Sequence, residues 1–98
     1  MESVTVIASF TPRNGASDDF VEMITPMIAA TRAEPGNEMY DLYRSDDGDF
    51  HLIERYADEQ ALTAHRDTTH YRAYRAASAD VLDGAVRVIL LRGIDIAD

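Results

Sequence analysis

Short runs rich in β-branched residues alternate along this chain with stretches in which apolar residues recur at helical spacing. Val4 to Phe10 is the first such run, and it closes on the turn formers Pro12, Asn14 and Gly15, which predicts a strand. From Ser17 the period changes. Phe20, Met23, Ile24, Met27, Ile28 and Thr31 fall on a single helical stripe, with Ser17 placed to cap the helix and Asp18 and Asp19 at the positive end of its dipole. Pro26 removes one backbone hydrogen bond, predicting a bend near Glu22 to Pro26, and Pro35 followed by Gly36 ends the helix around Ala33. Glu38 to Arg44 and Phe50 to Ala57 read as two strands joined by the hairpin loop Ser45-Asp46-Asp47-Gly48-Asp49. Asp58 opens a short helix through about Arg66. Thr68 or Thr69 caps a second one, in which Tyr71, Tyr74, Ser78 and Val81 share a face before Gly84. Ala85 to Leu91 is the last strand.

This order of strand, helix, strand, strand, helix, strand is that of a split βαβ, ferredoxin-like α+β protomer, with a four-stranded antiparallel sheet and helices on one face. The strands do not alternate cleanly between apolar and polar. Val86, Val88 and Leu90 oppose Ile89 and Leu91, and Ile53 opposes Phe50 and Leu52. A sheet with one wet face would alternate, so the pattern predicts a homodimer in which two sheets pack face to face as a dimeric α/β barrel. The alternative is that edge positions blur the pattern.

Length and composition narrow the chemistry. Ninety-eight residues make a single domain over 1–98. Cysteine is absent, which excludes disulfides, thiolate zinc sites, iron–sulfur clusters and a thiol nucleophile. Every basic residue is Arg, so Schiff-base chemistry is excluded as well. A net charge of −9 argues against nucleic acid and anionic membrane surfaces as partners. Apolar runs stop far short of the ~20 residues that span a bilayer, and the start lacks a basic signal region, so the expected location is cytoplasmic.

Few residues are left to carry chemistry. His65, Asp67 and His70 form H-x-D-x-x-H, but two histidines five apart on one helix lie about 140° from each other, which argues against a metal pair unless a loop intervenes. Glu54 shares a strand face with Phe50, Leu52 and Tyr56. A carboxylate among apolar side chains is either paired, with Arg32 or Arg55, or has a raised pKa suited to catalysis. His65 falls at the end of the short helix, where the dipole would raise its pKa; the competing role is a hydrogen-bonded structural histidine. Phe20, Met23 and Met27 are core packing or the wall of a site for a flat apolar ligand.

Arg32-Ala33-Glu34-Pro35-Gly36 with Tyr40, then Phe50-x-x-x-Glu54-x-Tyr56, then Ala61-Leu62-x-x-His65 and Thr69-His70, resembles the antibiotic biosynthesis monooxygenase (ABM) family over almost the whole chain. The resemblance implies ferredoxin-like protomers that dimerise through their sheets. It also implies a pocket between sheet and helices, and oxidation of quinols or polyketide-type phenols by dioxygen without metal, flavin or haem. Tyr56 stands where many members carry Trp, and Asn37 and Glu38 occupy positions that are usually small or apolar. With no Trp, and no Asn in Val4 to Phe10, the haem-degrading branch does not fit.

On this reading the chain is a cofactor-independent monooxygenase acting on a small aromatic substrate and dioxygen. His65 is the base or proton shuttle, Tyr56 and Tyr40 are hydrogen-bond donors, and Glu54 orients or tunes the histidine. Leu52, Phe20, Met23 and Met27 join Tyr40 in lining the substrate site, with His70, Tyr71 and Tyr74 on its helix side. The alternatives are an isomerase or degrading enzyme that works by proton transfer, and a non-catalytic small-molecule-binding dimer.

Overall fold

In the computed structural model, which describes residues 2–97, β1 (Val4–Phe10) buries every second side chain: Val4, Val6, Ala8 and Phe10. β3 (Phe50–Tyr56) does the same with Phe50, Leu52, Glu54 and Tyr56. The two strands pair antiparallel with Val6 opposite Glu54 and Ala8 opposite Leu52, which puts both buried sets on one face. β2 (Asn37–Arg44) pairs with the other edge of β3 and places Tyr40 opposite Glu54. β4 (Arg87–Leu91) pairs with β1, so the strand order is β2-β3-β1-β4, the antiparallel ferredoxin-like sheet expected.

Helix α1 (Ser17–Arg32) lays Phe20, Ile24, Met27, Ile28 and Thr31 on that face. Phe20 is the centre of an aromatic cluster, its ring centroid 5.3 Å from Phe10, 5.1 Å from Phe50 and 6.4 Å from Tyr74. Ser17 is the first helical residue and not the cap. Ala16 holds the cap position without a side-chain bond, and the Ser17 hydroxyl accepts from Arg44 instead. Pro26 is accommodated within the helix. α2 (Glu59–Arg66) and α3 (Thr69–Ser78) are two helices, capped by Asp58, which accepts from the Ala61 N–H at 2.8 Å, and by Thr68, which accepts from Tyr71 N–H at 3.2 Å.

Two boundaries differ from the periodicity. α3 stops at Ser78, leaving Val81 outside it, and β4 starts at Arg87, not Ala85. Both follow from one clamp. Leu82 forms a bridge with Pro12, while Arg13 N–H bonds Val81 O and Asp83 N–H bonds Thr11 O, so the chain is tied to the end of β1 before it turns into β4.

Among the described residues, no helix lies over the other sheet face. Ile53, Ile7 and Ile89 form one row across β3, β1 and β4, flanked by exposed Tyr43 and Leu91. Polar pairs are interspersed: Ser9 with His51 at 2.8 Å, and Arg55 with Glu38 at 3.2 Å. Among the described residues, no helix is long and apolar enough to cross a membrane.

Candidate active site

The turn between α1 and β2 decides how the site is assembled. Pro35 and Gly36 reverse the chain, and Gly36 lies so close to α2 that a Cβ there would collide with the Ala61 Cβ. That approach carries Glu34 to the junction where α2 ends and α3 begins. Its Oε2 lies 3.0 Å from His65 Nδ1 and 2.6 Å from His70 Nε2. The two histidines meet because the chain breaks between the helices at Asp67 and Thr68, so the angular separation expected on one continuous helix does not apply. Asp67 is not part of the cluster; it is exposed and pairs with Arg72. Among the described residues Glu34, His65 and His70 are the set that could hold a metal ion, and their present spacings are those of hydrogen bonds.

His65 is almost fully buried, at 1% exposure. Its ring lies among Tyr40, Tyr56 and Tyr71, with centroids 5.3, 5.4 and 4.7 Å away. Nε2 faces the Tyr40 hydroxyl at 3.4 Å. Contrary to the expectation from the helix dipole, its pKa is lowered. Burial disfavours the imidazolium more than the neighbouring Glu34 favours it. His65 is therefore neutral at physiological pH, the form a base requires.

Glu54 pairs with neither Arg32 nor Arg55. Arg32 bonds the Tyr40 carbonyl and Asp41, and Arg55 bonds Glu38. The partner of Glu54 is the Tyr56 hydroxyl, which donates at 2.6 Å. Burial pushes the Glu54 carboxyl up to about 7, although the Tyr56 bond and the Arg66 charge pull the other way. Glu54 does not orient His65; the carboxylate bonded to the ring is Glu34, which stands in the Arg32 to Gly36 motif but carries no local signal of that role. The buried hydroxyls of Tyr40, Tyr56 and Tyr74 are all held well above the usual phenol range by desolvation, so they act as donors.

Between the sheet and α2–α3 lies a cavity of about 30 Å³. Val6, Ala8, Leu52, Glu54 and Tyr40 form its sheet wall, His65, Tyr71 and Tyr74 its helix wall, and Arg66, Arg75, Val86 and Val88 lie around it. The Tyr74 hydroxyl is buried with no hydrogen-bond partner among the described residues, while Ser78, one turn on, donates to the Arg75 carbonyl. An orphan hydroxyl of this kind costs about 1–3 kcal/mol unless something fills the role of acceptor. Phe20, Met23 and Met27 are not cavity walls. Phe20 is in the aromatic core, and the two methionines face a shallow groove between α1 and α3, where His70 also lies. Met27 sulfur lies 3.6 Å from the Tyr40 hydroxyl. Arg66, Arg75, Val86 and Val88 were not anticipated, since nothing in their spacing marks them.

A model of the antibiotic biosynthesis monooxygenase family matches residues 3–77. The chain belongs to the ABM family. Within it, the chain is similar to a Mycobacterium tuberculosis protein named "Putative monooxygenase Rv0793", 43% identical over 93 residues that span 94% of this chain and 92% of that one. The solved structure of Rv0793 superposes with a TM-score of 0.93, covering 98% of this chain and 99% of the other. A Bacillus subtilis protein named "Putative monooxygenase YcnE" is 27% identical over 74% of this chain and 78% of its own length. The crystal structure of PA3566 from Pseudomonas aeruginosa, 27% identical, gives a TM-score of 0.89 with 97% of each chain covered. The ABM fold expected from the residues is thus the fold present.

Proposed function

We propose that this protein is a cofactor-independent monooxygenase that oxidises a small aromatic quinol or polyketide-type phenol with dioxygen. The observation that carries the reading is the convergence of a buried imidazole, His65, a buried carboxyl, Glu54, and the tyrosines Tyr40, Tyr71 and Tyr74 on one cavity between the sheet and the helices. The monooxygenase names of the relatives support it. His65 Nε2 takes a proton from the substrate, the resulting electron-rich anion reduces dioxygen, and the Tyr40 and Tyr74 hydroxyls donate to oxygen atoms as charge builds on them.

The cavity has room for dioxygen or about two waters, not for an aromatic ring. Substrate entry therefore displaces the side chains at its rim. Arg75 lies over Tyr71 and donates to its hydroxyl at 2.9 Å, while Val88 lies on the exposed edge strand β4, so this rim is the solvent-facing part of the wall.

Anthrone is a suitable probe: one dioxygen is consumed for each anthrone converted, giving anthraquinone and water. Uptake above the uncatalysed rate, unchanged after exhaustive chelation, is the expected result in an oxygen electrode; uptake abolished by chelator would sink the cofactor-free account. Turnover of a ligand without oxygen consumption would point to proton-transfer chemistry by the same base.

We also propose that the protein is a homodimer joined through the uncovered sheet face, supported by the apolar row of half-buried Ile7 and Ile53 and exposed Ile89, with exposed Tyr43 and Leu91. Light scattering at micromolar concentration is expected to give twice the chain mass. A monomer, or a dimer unaffected by Ile89→Glu, would contradict this interface.

A further inference from the structure

We propose that Glu34 is the positioning residue of this site: its Oε2, held between His65 Nδ1 and His70 Nε2, locks His65 in the tautomer that carries its proton on Nδ1 and turns the Nε2 lone pair toward Tyr40, a cavity-lining residue. As a statement about catalysis this rests on the reading of His65 as the base; as a statement about the ring it stands on geometry alone.

A carboxylate oxygen only accepts hydrogen bonds, so both imidazole nitrogens facing Glu34 Oε2 must carry hydrogen. With its single proton on Nδ1, a neutral His65 has its lone pair on Nε2, the nitrogen that faces the Tyr40 hydroxyl. The opposite tautomer would set a bare Nδ1 against the carboxylate at 3.0 Å, two acceptors in contact within a buried site, which is strongly unfavourable. When Nε2 takes a proton, the charge formed on His65 sits beside the Glu34 carboxylate. His70, about a quarter exposed, supplies the second donor that keeps the carboxylate aimed.

The position of Glu34 is built into the backbone. The turn through Pro35 and Gly36 is seated on Ala61 of α2, and Glu34 N–H bonds Thr31 O while Asn37 N–H bonds Glu34 O. The carboxylate is therefore delivered by a hydrogen-bonded corner packed against α2. Besides Glu34 and His70, the titratable and charged groups around His65 are Tyr40 from β2, Glu54 and Tyr56 from β3, Arg66 on its own helix and Tyr71 from α3. Of the acids among them, Glu34 is the one bonded to the ring.

Long-range ¹H–¹⁵N correlation spectra of the uniformly ¹⁵N-labelled full chain test this without any substrate. At neutral pH the His65 signals are expected to show a protonated Nδ1 and an unprotonated Nε2. A proton on Nε2 would overturn the proposal. In Glu34→Gln, which keeps the shape but removes the charge, the His65 titration midpoint is expected to move further down, and anthrone-dependent oxygen uptake to fall roughly 10- to 100-fold. An unchanged midpoint with unchanged uptake would also overturn it. Should the wild-type protein consume no oxygen, the oxygenase reading fails while the spectra still decide the role of Glu34. The wild-type tautomer needs no variant, so the test survives a Glu34→Gln chain that does not fold.

Discussion

Replacing His65 with glutamine is expected to lower anthrone-dependent oxygen uptake by about 10²–10⁴-fold, the range a positioned general base contributes. Glutamine is the informative substitution. His65 fills a slot bounded by Tyr40, Tyr56 and Tyr71, and alanine would empty it, mixing a packing defect into the kinetic result. The glutamine amide can reach the region of the ring nitrogens but cannot take a proton at neutral pH. Because burial holds the His65 pKa below its ordinary value, the wild-type rate should be level through neutral pH and fall on the acid side as the imidazole becomes protonated. The acid limb should vanish in His65→Gln. If the variant retains the wild-type rate, the base is another cavity group, and Glu54 is the first to test.

Glu54→Gln is expected to change how stability depends on pH. A carboxyl whose folded pKa stands near 7, against 4.5 when unfolded, holds its proton more tightly in the folded state. The sign follows directly. Its stabilising contribution is fully present below the unfolded pKa, declines as pH rises from 4.5 toward 7, and is lost above that. The difference amounts to about 3 kcal/mol. Glutamine can still accept from the Tyr56 hydroxyl, yet never ionises. Relative to wild type, the variant should gain melting temperature from pH 5 to pH 8, by upwards of about 10 °C for a chain of this size. Parallel melting curves at the two pH values would show that Glu54 does not carry a buried charge. The same ionisation that costs stability leaves a carboxyl able to give or take a proton near neutrality, which is why its place on an otherwise apolar strand face points to chemistry.

How much of this site could be read in advance depends on what each residue answers to. Glu54 and Tyr56 lie on a strand face fixed by a period of two, so their place beside Phe50 and Leu52 was legible, whereas β2 buries Tyr40 without such alternation and no local pattern marked it. Phe20 and Met27 were equally legible as buried, but burial alone does not say which side of the core holds a cavity; Phe20 went into the aromatic cluster instead. For His65 the local rule pointed the wrong way. A helix end raises a histidine pKa through its dipole, whereas the packing of three tyrosines around the ring removes the water that would stabilise the charge, and desolvation is the larger effect.

The sequence by itself determined the order and type of the elements and the family. These rest on periodicity, capping chemistry and a motif in continuous order, all of them properties of neighbouring residues. Only the tertiary structure decided that Glu34, and not Glu54, holds His65, that His70 joins them across the break between α2 and α3, and that Tyr74 lines the cavity with its hydroxyl buried. Those outcomes depend on the close approach of the Gly36 corner to Ala61 and on the angle between two short helices. Contacts between residues some thirty positions apart are set by packing, and no local pattern records which of two nearby carboxylates a ring will meet.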